Sequence, residues 1–329
     1  MVTGGAGFIG CNFIRYLLRR PDFRGRIVNV DKLTYAGSLA NLADVERENG
    51  GRRYFFEKAD ICDTQRMMAI FDVYDIDTVV HFAAESHVDR SITGPAAFVQ
   101  TNVFGTFSLL EAARQRWQGR DDALFHHVST DEVYGTLGES GYFTESTPYS
   151  PRSPYSASKA ASDHFVMAYS HTYGLPVTLS NCSNNYGPYQ NPEKLIPLMI
   201  TNMLAGKPLP VYGDGKNVRD WIYVDDHNAA VWLILKSGKT GESYNVGGEN
   251  EWENIRLVKT LCAVLAELTR EPVERYERLI TFVEDRLGHD RRYAIDCSKT
   301  KRELGWSQAR SFEEQLGFTA SWYLNLRSR

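Results

Sequence analysis

The chain of 329 residues is 43% hydrophobic and 24% charged, enough to bury one large core with a smaller second lobe. Its formal net charge of -4, with no long run of Lys or Arg, excludes an extended nucleic-acid surface, because neutralising phosphates takes clustered cations. No apolar run approaches the ~20 residues of a membrane span. Cys11, Cys62, Cys182, Cys262 and Cys297 have neither zinc-ligand nor disulfide-framework spacing, so a cytoplasmic protein without a metal is expected. No secretory signal is expected ahead of the first motif.

The chain opens on TGGAGFIG over residues 3–10, followed by a helical pattern to Leu18. Gly4, Gly7 and Gly10 let the backbone approach a pyrophosphate, which then rests on the amide-rich start of the helix. A β-branched run over 27–30 ends in Asp31, at the usual distance for an acid that binds a ribose 2′-OH. The same carboxylate repels a 2′-phosphate, which predicts NAD rather than NADP, while Lys32 beside it works in the opposite sense. Only Met1 and Val2 precede the motif, where a first strand runs ~5 residues, so a truncated natural N-terminus is expected.

A third strand is predicted over 54–56. Beyond it, Asp60 and Ile61 lie where an adenine edge is held, although Asp60 serves equally well as the cap of a helix near 64–71. A buried-type strand over 78–82 delivers Phe82, Ala83, Ala84, Glu85 and Ser86 to its carboxyl end, where ligands gather in an open parallel sheet. His81 and His87 lack paired carboxylates at ligand spacing and are read as structural. A long helix is predicted over 96–117, with Thr101 and Asn102 near its start.

The strand over 125–129 leads into Thr130, Asp131 and Glu132. Two adjacent acids there are either first-turn residues of a helix or a general acid beside a general base with environments that separate their pKa values. Their place on the strand expected to face a nicotinamide favours the second. Just downstream, Tyr155 and Lys159 stand four apart on a predicted helix and share one face, so the ammonium is expected beside the phenol. Bringing a phenol from its usual pKa near 10 to neutrality takes roughly 4 kcal/mol of preference for the phenolate. Another strand follows over 177–180.

Together, TGGAGFIG, DKLTYAG over 31–37, AAESHVDRS over 83–91 and STDEVYG over 129–135 resemble the extended short-chain dehydrogenase/reductase family, specifically its dTDP-glucose 4,6-dehydratase branch. The likeness covers nearly the whole chain. It implies a Rossmann-type, doubly wound parallel sheet over residues 1–181 and a smaller α/β nucleotide-sugar lobe over 182–329, partly interleaved. It implies Thr130 as a substrate hydroxyl contact, Asp131 as acid, Glu132 as base, and Tyr155 with Lys159 as the redox pair. Cofactor contacts are implied at Phe8, Ile9, Thr34, Asp60, Ile61, Phe82, Ala83, Ala84, Ser86, Thr101 and Asn185, beside the glycines, Asp31 and Lys32.

The loops NCSNNYGP over 181–188, PEKLIP over 192–197, LPVYG over 209–213 and DRLGH over 285–289 resemble the family's substrate segments. They imply substrate contacts at Ser86, Asn184, Lys194, Leu195, Pro210, Val211, Tyr212, Asn254, Asp285, Arg286 and His289. Arg219 has a warrant of its own, since a guanidinium fork suits phosphate oxygens. Leu287 departs from the family's usual Pro, and the chain stops at Arg329, shorter than many relatives. The implied activity converts dTDP-glucose to dTDP-4-keto-6-deoxyglucose through tightly bound NAD, in a homodimer paired through the helices over 96–117 and 155–173. Three alternatives remain: a dehydratase of another nucleotide sugar, a nucleotide-sugar 4-epimerase, which has no need for the Asp131 and Glu132 pair, and a non-catalytic NAD-binding scaffold.

Overall fold

The computed structural model describes residues 1–285 and 289–327. Its centre is a seven-stranded sheet built from β1 (Val2–Thr3), β2 (Ile27–Asp31), β3 (Tyr54–Lys58), β4 (Thr78–His81), β5 (Leu124–Thr130), β6 (Val177–Cys182) and, much later, β10 (Ser243–Val246). The order is β10-β6-β5-β4-β1-β2-β3, and neighbouring strands are parallel throughout. Strands such as β2 and β6 are buried along their whole length, as a parallel sheet covered on both faces requires. On one face pack the helices Phe8–Arg19 and Val224–Ser237. On the other pack Thr64–Tyr74, Thr106–Arg116 and Pro154–Tyr173.

The chain winds outward from β1 to β3, then returns through the helix Thr64–Tyr74 to place β4 on the other side of β1. Connections leave β1 and β4 in opposite directions, and the gap at their carboxyl ends is where such sheets bind ligands.

The helix expected over 96–117 begins as Pro95–Phe98, widens into π-type turns over Val99–Gly105, and resumes as Thr106–Arg116. At the wide turns the Asn102 side chain staples two segments. Its Oδ1 accepts from Glu85 N at 2.8 Å, and its Nδ2 donates to Glu85 O at 3.0 Å and Ser158 Oγ at 2.8 Å. The 83–86 loop is thereby fixed against the helix that carries Tyr155.

The second lobe contains a three-stranded sheet of β7 (Asn184–Tyr186), β9 (Val218–Tyr223) and β11 (Glu251–Glu253), and a parallel pair, β8 (Leu209–Tyr212) and β12 (Ile280–Val283). Helices Leu195–Ala205, Asn254–Thr269 and Phe312–Arg327 enclose a core that includes Tyr186, Met199, Leu257 and Leu316. Between these segments the chain returns to the large sheet through Val224–Ser237 and β10, so the two lobes interleave in sequence.

Candidate active site

The first half of the site is a backbone cradle. Gly4 has φ +67°, and a Cβ there would stand 2.7 Å from Ala83 N, so the turn closes only around glycine. The helix Phe8–Arg19 starts at Gly7 with no side-chain cap and no acidic residue in its first turn. Its leading amides are therefore available to an anion, with the helix dipole in support. At the end of β2, Asp31 accepts from Ala6 N at 2.9 Å and Leu33 N at 2.8 Å, which fixes its carboxylate beside the turn. Burial pushes its pKa up, and the two amide bonds oppose the rise. Lys32 is paired with Asp60 at 2.6 Å. The alternative that Asp60 caps a helix is corrected: Asp63 is the cap, accepting from Arg66 N at 2.9 Å, and Asp60 lines the cleft. Cradle, helix start and acid fit a dinucleotide.

The second half of the site gathers where β5 ends. Thr130 opens a short 3₁₀ turn over Asp131–Tyr134 and accepts from Glu132 N at 3.3 Å. Glu132 lines the cleft, whereas Asp131, 1% exposed, lies behind its wall. Asp131 Oδ1 accepts from Thr130 Oγ1 at 3.4 Å, while Oδ2 is buried with no hydrogen-bond partner among the described residues. Burial drives this carboxyl well above the usual range; Glu132 and Asp220 add to the rise and Arg219 opposes it. Adjacent acids thus occupy different environments, and burial biases Asp131 toward its protonated form.

Tyr155 enters the cleft from the first turn of Pro154–Tyr173, a helix started by Pro154 and a reciprocal Ser153–Ser156 capping box. Phe98 meets its ring edge-on at 6.3 Å. Lys159, one turn on, donates to the Val128 carbonyl at 2.9 Å and lies 3.2 Å from His127 Nε2. Here the structure departs from expectation. Burial, then Glu132 and Cys182, push the phenol of Tyr155 well up, and the Thr130 hydroxyl pulls it down. The protein's own groups hold the phenol neutral, because Lys159 is itself buried and directs protons at Val128 and His127.

Across the cleft, Arg219 on β9 donates to Asp290 O at 2.9 Å and Val218 O at 2.7 Å, and its guanidinium lies 4.3 Å from the centre of the Tyr293 ring. A fork held this way needs no reorganisation to meet phosphate oxygens. Lys194 Nζ donates to Ser86 O at 2.9 Å and so ties the second lobe to the 83–86 loop. Pro210, Val211 and Tyr212 come from β8. His289 Nδ1 lies 2.6 Å from Asp285 Oδ1, and its ring meets Tyr212 edge-on at 6.4 Å.

One cleft of about 540 Å³ runs from the glycine turn to Tyr212, a size that suits a small-molecule site. Of the residues expected on cofactor or substrate, Asp131 is buried behind its wall and Asp285 stands outside it, contrary to expectation. Both side chains are drawn off by their surroundings, Asp131 by the fold of the 3₁₀ turn and Asp285 by His289. Arg286 and Leu287 lie outside the described residues, and the other expected residues line the cleft.

Sequence reasoning missed several wall residues. Glu193 sits 2.9 Å from Arg90 and 3.8 Å from His87; its segment PEKLIP reads as a substrate loop, but the residue itself was not singled out. Tyr293 and Asp290 come from a segment remote from Arg219. Behind the wall, Asp163 was not singled out, although its place four residues past Lys159 on the same helical face is a signal that could have found it.

Comparison with known proteins follows this geometry. The family described as GDP-mannose 4,6 dehydratase matches residues 1–317. A dTDP-glucose 4,6-dehydratase of Xanthomonas campestris pv. campestris is 57% identical over 330 residues, covering 98% of this chain and 92% of that relative. One from Neisseria meningitidis is 56% identical over 334 residues, covering 99% and 93%. DesIV, a dTDP-glucose 4,6-dehydratase from Streptomyces venezuelae solved with NAD and TYD bound, superposes with TM-score 0.90 at 46% identity, covering 99% of this chain and 97% of that one.

Proposed function

The chain belongs to the GDP-mannose 4,6 dehydratase family, and on that footing we propose that it dehydrates dTDP-glucose to dTDP-4-keto-6-deoxyglucose with NAD as resident cofactor. The observation that carries this reading is the pair of acids at the end of β5, one lining the cleft and one buried with its pKa pushed up, beside Tyr155. An epimerase moves a hydride but eliminates nothing, and has no work for a second, protonated acid. Relatives at 52–57% identity over nearly the whole chain carry the dTDP-glucose 4,6-dehydratase name, which favours the same branch.

Gly4, Gly7, Phe8, Ile9 and Gly10 would hold the NAD pyrophosphate and Asp31 the adenosine ribose. When bound, NAD takes the hydride from sugar C4 and returns it at C6. Tyr155 Oη, ionised with the support of charged Lys159 and of the positive charge that bound NAD would supply, removes the C4 hydroxyl proton, with Thr130 as a hydroxyl partner. The resulting 4-ketone acidifies C5–H, which Glu132 removes while the departing C6 hydroxyl takes a proton from Asp131, passed through the Thr130 hydroxyl that lines the cleft and bonds Asp131 Oδ1. C5 is then reprotonated. Arg219 and Asn254 hold the diphosphate, and Pro210, Val211 and Tyr212 the thymine. Residues 1–181 serve the cofactor and 182–329 the nucleotide sugar, with the return to the large sheet noted above.

The protein is proposed to work as a homodimer. Val99, Phe104, Phe165 and Tyr173 are exposed on the two helices named for pairing, and the Phe104, Phe107 and Phe165 rings form a continuous strip with centroid spacings of 5.7 and 6.5 Å. Among the described residues no helix is long and apolar enough to cross a membrane. All five cysteines are free, which suits the cytoplasm.

The test is mass analysis after incubation with dTDP-glucose and, separately, UDP-glucose. Loss of one water from dTDP-glucose, with UDP-glucose the poorer substrate, is expected, since a single methyl in a pocket discriminates by only ~1 to 3 kcal/mol. Equal specificity constants would move the assignment to a dehydratase of another nucleotide sugar. A second prediction concerns the cofactor. Because the hydride returns in each cycle, release serves no purpose, and the purified, denatured protein is expected to yield mainly NAD. A majority of NADP would contradict the role given to Asp31.

A further inference from the structure

Behind Lys159 lies a buried ionic set that the mechanism above does not use. His127, Ser129, Lys159 and Asp163 are all buried. His127 Nε2 lies 3.2 Å from Lys159 Nζ and 3.1 Å from Asp163 Oδ1. The second carboxylate oxygen, Asp163 Oδ2, accepts from Ser129 Oγ at 2.7 Å. One ring nitrogen therefore stands between an ammonium and a carboxylate; it is bonded to Lys159, while Asp163 Oδ1 makes no hydrogen bond among the described residues and bears on the pair by its charge. Ser129 and His127 come from the strand that delivers Thr130, while Lys159 and Asp163 come one turn apart from the helix that delivers Tyr155.

A buried ammonium without a counter-charge is strongly destabilised, and the Val128 carbonyl offers Lys159 only a dipole. From β4, His81 packs on His127 at 5.1 Å and is held between the hydroxyls of Thr3 and Thr106; burial keeps it neutral. From β6, the Cys182 thiol is pushed up to about 12 by burial, so it too is neutral. Toward the cleft, burial pushes the Asp131 carboxyl well up, toward its uncharged form. On Asp163 itself bear Lys159 and His164 from its own helix, Ser129 and His127 from β5, and the Tyr149 and Tyr134 hydroxyls. Burial raises Asp163 to about 6, with Lys159 opposing the rise most, so at neutral pH it remains a carboxylate. Of these groups, Asp163 is the one carrying negative charge into the back of the Lys159 pocket.

We propose that Asp163 is a positioning residue for the hydride step: its carboxylate, facing Lys159 across His127, keeps the lysine in the charged form that the Tyr155 phenol needs in order to release its proton. The proposal rests on Tyr155 and Lys159 being the redox pair. Removing the carboxylate makes Lys159 easier to neutralise, and a neutral lysine no longer favours phenolate, so Tyr155 ionises at higher pH. The acid limb of the hydride step must then move upward.

The experiment mixes NAD-loaded enzyme with dTDP-glucose and reads reduced nicotinamide against pH in the wild type, Asp163→Asn, Asp163→Glu and Ser129→Ala, with substrate KM measured alongside. Asp163→Asn is expected to move the acid limb up by about one pH unit or more with KM unchanged. Asp163→Glu should restore the profile, because a second hollow of about 270 Å³, lined by Asp163, Glu145, Tyr149 and His164, leaves room for one more methylene. Ser129→Ala weakens the carboxylate's hold and should move the limb the same way by less. A residue that only fills space would slow the reaction equally at all pH, and an unmoved profile in Asp163→Asn overturns the proposal. Should that variant fail to fold, an unmoved profile in Ser129→Ala does so. Wild-type enzyme that forms no reduced nicotinamide at any pH contradicts the redox reading itself, which separates the two failures.

Discussion

Glu132→Gln and Asp131→Asn, mixed with dTDP-glucose, are each expected to accumulate enzyme-bound reduced nicotinamide while product formation falls by about 10²-fold or more. Both amides keep the shape of the acids they replace, so substrate binding and the first hydride transfer survive. The two should then part. Exchange of the C5 proton with solvent should be lost mainly in Glu132→Gln, since Glu132 lines the cleft and is the proposed base. A substrate whose C6 group leaves without a proton, such as a fluoride, should rescue Asp131→Asn far better than Glu132→Gln. The pH dependence has a definite sign. Burial raises the Asp131 pKa well above its ordinary value, so the proposed acid keeps its proton to higher pH than a free carboxyl, and the elimination step should weaken as pH rises through that raised value. Loss of the reduced-nicotinamide signal in both variants, with substrate affinity kept, would falsify this division of labour.

Tyr155→Phe is expected to behave in the opposite way. The phenyl ring keeps the edge-on contact with Phe98, so fold and substrate affinity are retained. Without the phenol oxygen the proposed acceptor of the C4 hydroxyl proton is gone, so no reduced nicotinamide should appear. Product formation should fall by roughly 10³-fold, within the range for loss of a general base. A Tyr155→Phe enzyme that still reduces its cofactor on mixing would pass the role of base to another group, with Glu132 the first to examine.

Much of this was legible in the chain because the informative signals are local. The glycine turn, Asp31 at the end of β2, and Tyr155 with Lys159 on one helical face are each set by spacing within a few residues, and the structure brings them into one cleft. Spacing did not reveal direction. Asp131 and Glu132 are neighbours in sequence, yet the turn after β5 sends one behind the wall and the other into the cleft. Lys159 was expected against the phenol, but its proton acceptors come from β5, a strand whose buried polar atoms have no sequence period to mark them. The Arg219–Tyr293 contact and the Ser129–Asp163 bond were hidden for the same reason, since each joins segments far apart in the chain. The helix over 96–117 was read as regular because the pull of Glu85 and Ser158 on Asn102 is tertiary.

The central claim is that one bound cofactor carries hydride from C4 to C6 of a single sugar while that sugar loses water. It is tested most directly with dTDP-glucose carrying deuterium at C4, followed by mass and proton spectra of the product formed in ordinary water. The account predicts a 4-keto sugar lighter by one water, with the deuterium now at C6. Deuterium still at C4 of an epimerised hexose, or lost to solvent, would contradict it.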